Sequence, residues 1–118
     1  MNLTINNKEY ELKLGLDFIS HLDKKYYIEQ DGFKIGQGLT YTLAQLELGN
    51  PLILLDLIIA GTVAGQKPKP GDIKTFIETE ADIEMLMNEF SKALEESPIT
   101  RFTMKKLGLL MNAGIKNK

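Results

Sequence analysis

The most apolar stretch of the chain, PLILLDLIIAGTVA, runs from Pro51 to Ala64 and contains a single charged residue, Asp56. A membrane-spanning helix needs about 20 consecutive apolar residues. Because this run is shorter and carries a charge, it predicts a buried core helix. Such a helix has to be surrounded by other elements, so we place it at the centre of the predicted fold.

The composition indicates one small globular domain. The chain has 118 residues, of which 43% are hydrophobic and 25% charged, which suits a single hydrophobic core. Fourteen basic residues stand against sixteen acidic ones, so no positive excess favours binding to nucleic acid or to a membrane surface. The absence of cysteine excludes disulfides and thiolate sites and fits a reducing cytoplasm. No signal peptide is predicted at the N-terminus.

Residues 1–14 predict a β-hairpin. Apolar residues alternate with polar ones on both sides of the Asn-Asn-Lys sequence at 6–8: Leu3, Ile5, Tyr10, Leu12 and Leu14. A turn centred on residues 7 and 8 would pair Ile5 with Tyr10. Leu3 would then lie opposite Leu12, and the apolar side chains would share one face of the hairpin.

Three central helices are predicted over residues 16–64. In the first, from Leu16 to about Lys25, apolar residues recur at helical spacing: Phe18, Ile19, Leu22 and Tyr26. The second helix has leucines at 39, 43 and 46 and ends at Gly49 in a left-handed cap, and Asn50-Pro51 begins the third. Between the first two helices, YYIEQDGFKIGQG is interpreted as a loop with a turn at Asp31-Gly32.

GQKPKPG, residues 65–71, predicts a surface loop within the same domain. Asp72 is predicted to cap a short segment after it, and Thr79 to cap a longer helix. The apolar stripe of that longer helix comprises Ile83, Leu86, Met87, Phe90, Ala93 and Leu94. Ser97-Pro98 begins a last helix that ends near Gly114.

The predicted fold class is therefore α+β, mainly α, with an N-terminal β-hairpin packed on a compact bundle of about five helices. Residues 1–118 form a single domain in this interpretation. Its parts are the hairpin 1–14, the central helices 16–64, the loop 65–71 and the C-terminal helices 72–114.

The stretch IGQG, Ile35 to Gly38, has the glycine spacing that begins a phosphate-binding loop. A dinucleotide-binding loop has a third glycine three residues later, where this chain has Tyr41. The Gly-Lys-Ser/Thr of a Walker loop is also absent, as are the lysine strand and catalytic loop of a kinase. The sequence favours a loop-to-helix turn in which Gly36 and Gly38 adopt positive backbone dihedrals.

No catalytic, cofactor-binding or metal-binding residue is predicted. His21 is the only histidine, and Asp17, one helical turn before it, provides only a second ligand where a closed metal site needs four. The acidic residues at 78, 80, 82 and 84 lack the spacing of a calcium loop. The serines at 20, 91 and 97 have no histidine placed to activate them. An enzyme is therefore not expected.

Methionines concentrate in the predicted C-terminal helices, at positions 85, 87, 104 and 111. A methionine-rich surface adapts to irregular partners and can receive an apolar helix of another protein. Filling the core is the commoner role of methionine, and both interpretations stay open. If a binding groove exists, its candidate partner-binding residues are Met87, Phe90, Phe102 and Met111.

Four stretches together resemble a known family. They are the N-terminal NNKEYELKLGLDFISHLDKKY, the LGNP sequence at a helix junction, the DIKTFIETEADIEML block and the closing SPITRFTMKKL. They begin at Asn6, Leu48, Asp72 and Ser97 and are spread over nearly the whole chain. In them the chain is similar to the tail assembly chaperones of long-tailed phages and prophages of low-GC Gram-positive bacteria.

The resemblance implies a protein without enzymatic activity that acts in the cytoplasm of the bacterial host. Such chaperones bind the long, apolar, helix-rich tape measure protein and keep it soluble. They also help tail tube subunits to polymerise around it, and they are absent from the mature virion. In many phages a frameshifted longer form recruits the tail tube protein. Self-association along the client is a further hypothesis, and neither nucleic acid nor a membrane is an expected partner.

Two other functions remain as alternatives. The first is a structural head-tail connector or tail completion protein, which would be retained in the virion. The second is a small regulatory nucleic-acid-binding protein, against which the acidic net charge of −2 argues. An enzyme is the weakest interpretation.

Overall fold

The computed structural model describes residues 1–116, and side chains for residues 1–108. This part of the chain contains two β-hairpins and six α-helices. The first hairpin precedes the helices, and the second lies between the first and second helices. The strands are β1 (Asn2–Ile5), β2 (Lys8–Glu11), β3 (Tyr27–Gln30) and β4 (Phe33–Gly36). The helices are α1 (Leu16–Lys25), α2 (Gly38–Leu48), α3 (Leu52–Gly61), α4 (Pro70–Thr75), α5 (Ile83–Glu96) and α6 (Pro98–Lys116), with a π-helical turn, Phe76–Glu80, after α4. The predicted mainly α class with an N-terminal hairpin is confirmed.

The helix α3 lies at the centre of the core, as its sequence predicts. Its residues 53, 54, 57 and 58 are all buried, and it packs against α1, α2 and α4. The first hairpin and α5 add further buried side chains to the same cluster: Leu3, Ile5, Leu12, Leu14, Leu86, Phe90 and Leu94. Burying one such side chain stabilises a fold by about 1.5–3 kcal/mol, so this cluster is the main source of stability.

The first hairpin forms, but its predicted register is wrong. Its turn is the two-residue Asn6-Asn7, with φ of 50° and 62°, and Leu3 pairs with Tyr10. Positive φ at both central residues is the geometry of a type I′ turn, which matches the twist of the strands. The error is a slip of two residues. Because side chains alternate with period two, the apolar residues keep the face that was predicted.

The segment from Tyr27 to Gly36 is a second hairpin, whereas the sequence analysis interpreted it as a loop. The predicted turn position is correct, since Asp31 and Gly32 have φ of 54° and 83°. These two residues again form the two-residue turn that suits a hairpin. The flanking tyrosine, phenylalanine and isoleucines have high strand propensity, and this signal was missed.

The helix ends agree with the local sequence signals in the centre of the chain and differ from them later. Gly49 ends α2 in the left-handed conformation with φ of 72°, and the Asn50 side chain accepts a hydrogen bond from the Leu52 N–H at 3.1 Å. Asp72 caps nothing, because α4 already begins at Pro70. The cap of α5 is Asp82, which accepts from the Met85 N–H at 3.1 Å, and not Thr79. The Thr79 hydroxyl instead donates to the Thr75 carbonyl within the π-helical turn.

Candidate protein-binding surface

Every residue of β3 and β4 is exposed, and the outward side of this hairpin is apolar. Ile28 pairs directly with Ile35 across the strands, and Phe33 lies on the same side, opposite Gln30. The exposed fractions are 50% for Ile28, 71% for Phe33 and 41% for Ile35. We call these three residues the hairpin face. A cluster of exposed large apolar side chains on one element is typical of an interaction surface.

Two glycines bring the hairpin and α2 close to α1. A Cβ atom at Gly36 would lie 2.3 Å from the Asp23 carboxyl carbon, and one at Gly38 would lie 2.5 Å from the Leu22 Cβ. Neither glycine has a positive φ, so that part of the prediction is wrong. Their role is to leave room for α1.

The same contact explains why IGQG is not a phosphate-binding loop. The Asp23 carboxylate accepts a hydrogen bond from the Gly38 N–H at 2.8 Å. It therefore lies at the N-terminus of α2, which is where a phosphate binds in glycine-rich loops. The chain supplies its own anion at this position.

The first residue after α1, Tyr26, anchors the base of the hairpin in the core. Its backbone carbonyl accepts from the Gln37 N–H at 2.8 Å, and its hydroxyl donates to the Asp56 carboxylate of α3. Its ring stacks on Tyr41 with centroids 3.9 Å apart and planes inclined by 16°. Burial, followed by the hydrogen bond to Asp56, raises the pKa of Tyr26, so the phenol stays protonated and remains a donor.

The inward side of the hairpin and α1 border an open groove. The groove has a volume of about 630 Å³, and the residues that line it are Leu16, Ile19, Ser20, Asp23, Lys24, Tyr27, Lys34 and Gly36. We call it the α1 groove. The outward side of the second hairpin thus presents apolar side chains, whereas the apolar lining of the α1 groove comes mainly from Leu16 and Ile19 of α1.

Comparison with known protein families matches residues 2–108 to the family described as phage tail assembly chaperone protein, TAC. This chain belongs to the phage tail assembly chaperone family. The match includes both hairpins, α1 to α5 and the first half of α6. No significant match was found among curated proteins or among solved structures.

The structure places the predicted partner-binding residues of this tail assembly chaperone in different environments. Phe90 is fully buried in the core, and Met87 is half-buried and packs against it. Phe102 is 64% exposed on α6. Met111 lies outside the residues whose side chains are described. The described members of this set therefore do not share one exposed surface.

The titratable groups of the chaperone form no metal centre in the part of the chain that is described. Burial, together with the charges of Lys67 and Lys24, lowers the pKa of His21, which favours its neutral form. No three histidine or acidic side chains among the described residues are close enough to hold a metal ion. Within the same residues, no helix has the length and apolar character that crossing a membrane requires.

Proposed function

We propose that this tail assembly chaperone binds the tape measure protein, keeps its apolar helices soluble and assists polymerisation of the tail tube around it. The observation that supports the proposal is the hairpin face, because three large apolar side chains are exposed on a projecting hairpin. Fully burying such a side chain contributes about 1.5–3 kcal/mol, so three of them provide a substantial share of a protein contact.

The way the hairpin is held supports a binding role. A two-stranded hairpin alone is marginally stable in water. Here Tyr26 and Asp23 fix its base, and its tip remains free of contact with the core. An apolar helix of the client can therefore pack on Ile28, Phe33 and Ile35 without disturbing the fold.

Phe102, which is 64% exposed on α6, is a second proposed contact for the client. The Lys106 ammonium lies 5.7 Å from the centre of the Phe102 ring, so this part of α6 presents an aromatic ring beside a positive charge. The tail tube protein is a further proposed partner, which a longer frameshifted form would recruit. We place these events in the host cytoplasm, before the chaperone is released from the assembling tail.

Co-expression with the tape measure protein tests the proposal. We expect the client to appear in the soluble fraction and to co-elute with the tagged chaperone. Phe33→Ser should lower the amount of soluble client. Leu48→Ser is the matched control, because Leu48 is 76% exposed but lies outside the hairpin, at the end of α2. A client that is equally soluble with and without the chaperone would contradict the proposed function.

Mass spectrometry of purified virions separates the chaperone from a structural component. We expect the chain to be missing from the particles or strongly depleted relative to the tail tube protein. Recovery at a fixed copy number per virion would favour the connector alternative instead.

A further inference from the structure

We infer that the α1 groove binds an apolar segment of the client that is flanked by acidic side chains. This inference rests on the proposed function, because it specifies which kind of client segment the chaperone takes. Three features of the groove support it. Its lining includes apolar side chains, it contains lysines, and its one acidic residue, Asp23, already accepts a hydrogen bond from the chain itself.

The lining is apolar along one stripe of α1 and continues on the hairpin. Leu16 and Ile19 are one helical turn apart, and Leu16 is 72% exposed. Tyr27 faces them from β3. The volume of about 630 Å³ lies within the range of about 300–1,000 Å³ that is usual for ligand-binding clefts. Apolar side chains from one face of a helix can therefore enter the groove.

The charges that line the groove favour an acidic partner. Lys24 and Lys34 line it, and the Lys34 ammonium lies 4.8 Å from the centre of the Tyr27 ring. Asp23 also lines it, but its carboxylate already accepts the Gly38 N–H. Glu29 is directly opposite Lys34, yet among the described residues the one ion pair is that of Lys25 with Asp56. The Lys34 charge is thus available to a bound segment.

The positive charge continues beyond the groove. A neighbouring hollow shares Leu16 and Lys24 with it and adds Lys13, Lys67 and Asp17. The two hollows together have four lysines and two aspartates in a chain whose net charge is −2. The Lys67 ammonium already donates to the Ile59 and Thr62 carbonyls, so Lys13, Lys24 and Lys34 provide the charge that remains for a partner. This concentration of positive charge attracts acidic side chains and orients the segment that carries them.

A peptide fits the surface better than a nucleic acid does. A single-stranded nucleic acid is bound by a continuous positive groove with stacked aromatic rings. Here the lysines border a stripe of aliphatic side chains, and the lining contains one aromatic ring, that of Tyr27. An amphipathic helix with acidic flanks matches both the apolar stripe and its borders.

Two synthetic helical peptides test the inference directly. They share one apolar face and carry either glutamates or lysines beside it, and their binding to the 118-residue chain is followed by fluorescence anisotropy. We expect the glutamate peptide to bind about five times more tightly at low salt, because each exposed ion pair contributes only a little. The preference should shrink as salt screens the charges. Equal affinities at low salt would overturn the inference.

Charge-reversal variants test whether the preference for the glutamate peptide arises from the lysines of the α1 groove. Lys24→Glu combined with Lys34→Glu should reverse the order of the two peptides, whereas Lys74→Glu with Lys105→Glu, at exposed positions elsewhere, should leave it unchanged. Leu16→Ser should weaken both peptides and keep their order. An unchanged preference in the first double variant would exclude this groove. Tighter binding of a single-stranded oligonucleotide, lost in the same variant, would replace the inference with a nucleic-acid site.

The inference and the proposed function can fail separately. If the tape measure protein is soluble only with the chaperone but the peptides bind equally, the proposed function holds and the acidic preference is wrong. If the glutamate peptide is preferred but the client is not made soluble, the groove binds acidic amphipathic segments and the proposed function is wrong.

Discussion

The Tyr26 hydroxyl donates a hydrogen bond to the Asp56 carboxylate, which links the base of the exposed hairpin to the middle of the buried helix α3. Lys25 adds an ion pair to the same carboxylate, with its Nζ 2.5 Å from the Asp56 Oδ1. A buried carboxylate is costly unless it is paired and hydrogen-bonded. The single charge in the apolar run is therefore a structural attachment point for the element that we propose binds the client.

Removing the Tyr26 hydroxyl should weaken this attachment. Tyr26→Phe keeps the stacking on Tyr41 but deletes the donor, so we expect the free energy of unfolding to fall by about 1–2 kcal/mol. Urea unfolding followed by circular dichroism measures the change. Tyr27→Phe is the matched control, since the Tyr27 ring is exposed on the hairpin. A loss of equal size in both variants would contradict the role of the Asp56 contact.

The raised pKa of Tyr26 predicts a stability change at alkaline pH. A free tyrosine ionises near pH 10, whereas Tyr26 in the folded state keeps its proton to a higher pH. Above about pH 10 the unfolded state thus binds fewer protons than the folded one, and stability falls as pH rises. Below that pH this contribution is fully present. We expect Tyr26→Phe to lose stability less steeply than the wild type between about pH 9.5 and 11, as measured by unfolding at each pH. Parallel curves would show that Tyr26 does not contribute.

The close approach of the two glycines to α1 predicts that an added methyl group destabilises the fold, and more so at Gly38 than at Gly36. Gly38→Ala should cost about 1–3 kcal/mol, because its Cβ would meet the Leu22 side chain and backbone. The methyl group of Gly36→Ala would meet only the end of the Asp23 side chain, which can rotate away. The main effect of this substitution is therefore loss of the hydrogen bond from the Gly38 N–H to the Asp23 carboxylate. Gly71→Ala is the control, with no atom within 4 Å of the added methyl. Equal thermal stability of Gly38→Ala and Gly71→Ala would refute the packing argument.

Substituting the two phenylalanines of the predicted partner-binding set by alanine should change the free energy of unfolding by very different amounts. Phe90→Ala creates a cavity in the core and should lower the free energy of unfolding by about 3–5 kcal/mol. Phe102→Ala should change it by less than about 0.5 kcal/mol, since this ring is mostly exposed. If Phe102 contacts the client, the same substitution reduces client recovery in co-expression. Strong destabilisation by Phe102→Ala would instead place this ring in the core.

Local signals in the sequence were sufficient for several elements. The bounds of α1, the left-handed cap at Gly49 and the central position of α3 all follow from periodicity and capping, which involve residues within about four positions of one another. The Asp31-Gly32 turn was equally local. The strands beside it were missed because their alternation is short and mixed with polar residues.

Other features were decided only by the tertiary structure. Asp56 interrupts an apolar run in the sequence, but its partner Tyr26 is 30 positions away and is brought to it by the packing of α1 on α3. Phe90 and Phe102 both occupy apolar positions of helices, and only the neighbours of each helix determine which ring is buried. Gly36 and Gly38 were interpreted through backbone freedom, whereas the space that α1 needs explains them. The sequence by itself determined the central helices and the cap at Gly49, because these depend on neighbours along the chain. Which side chains are buried, paired or exposed depends on neighbours in space, and these exist only once the chain is folded.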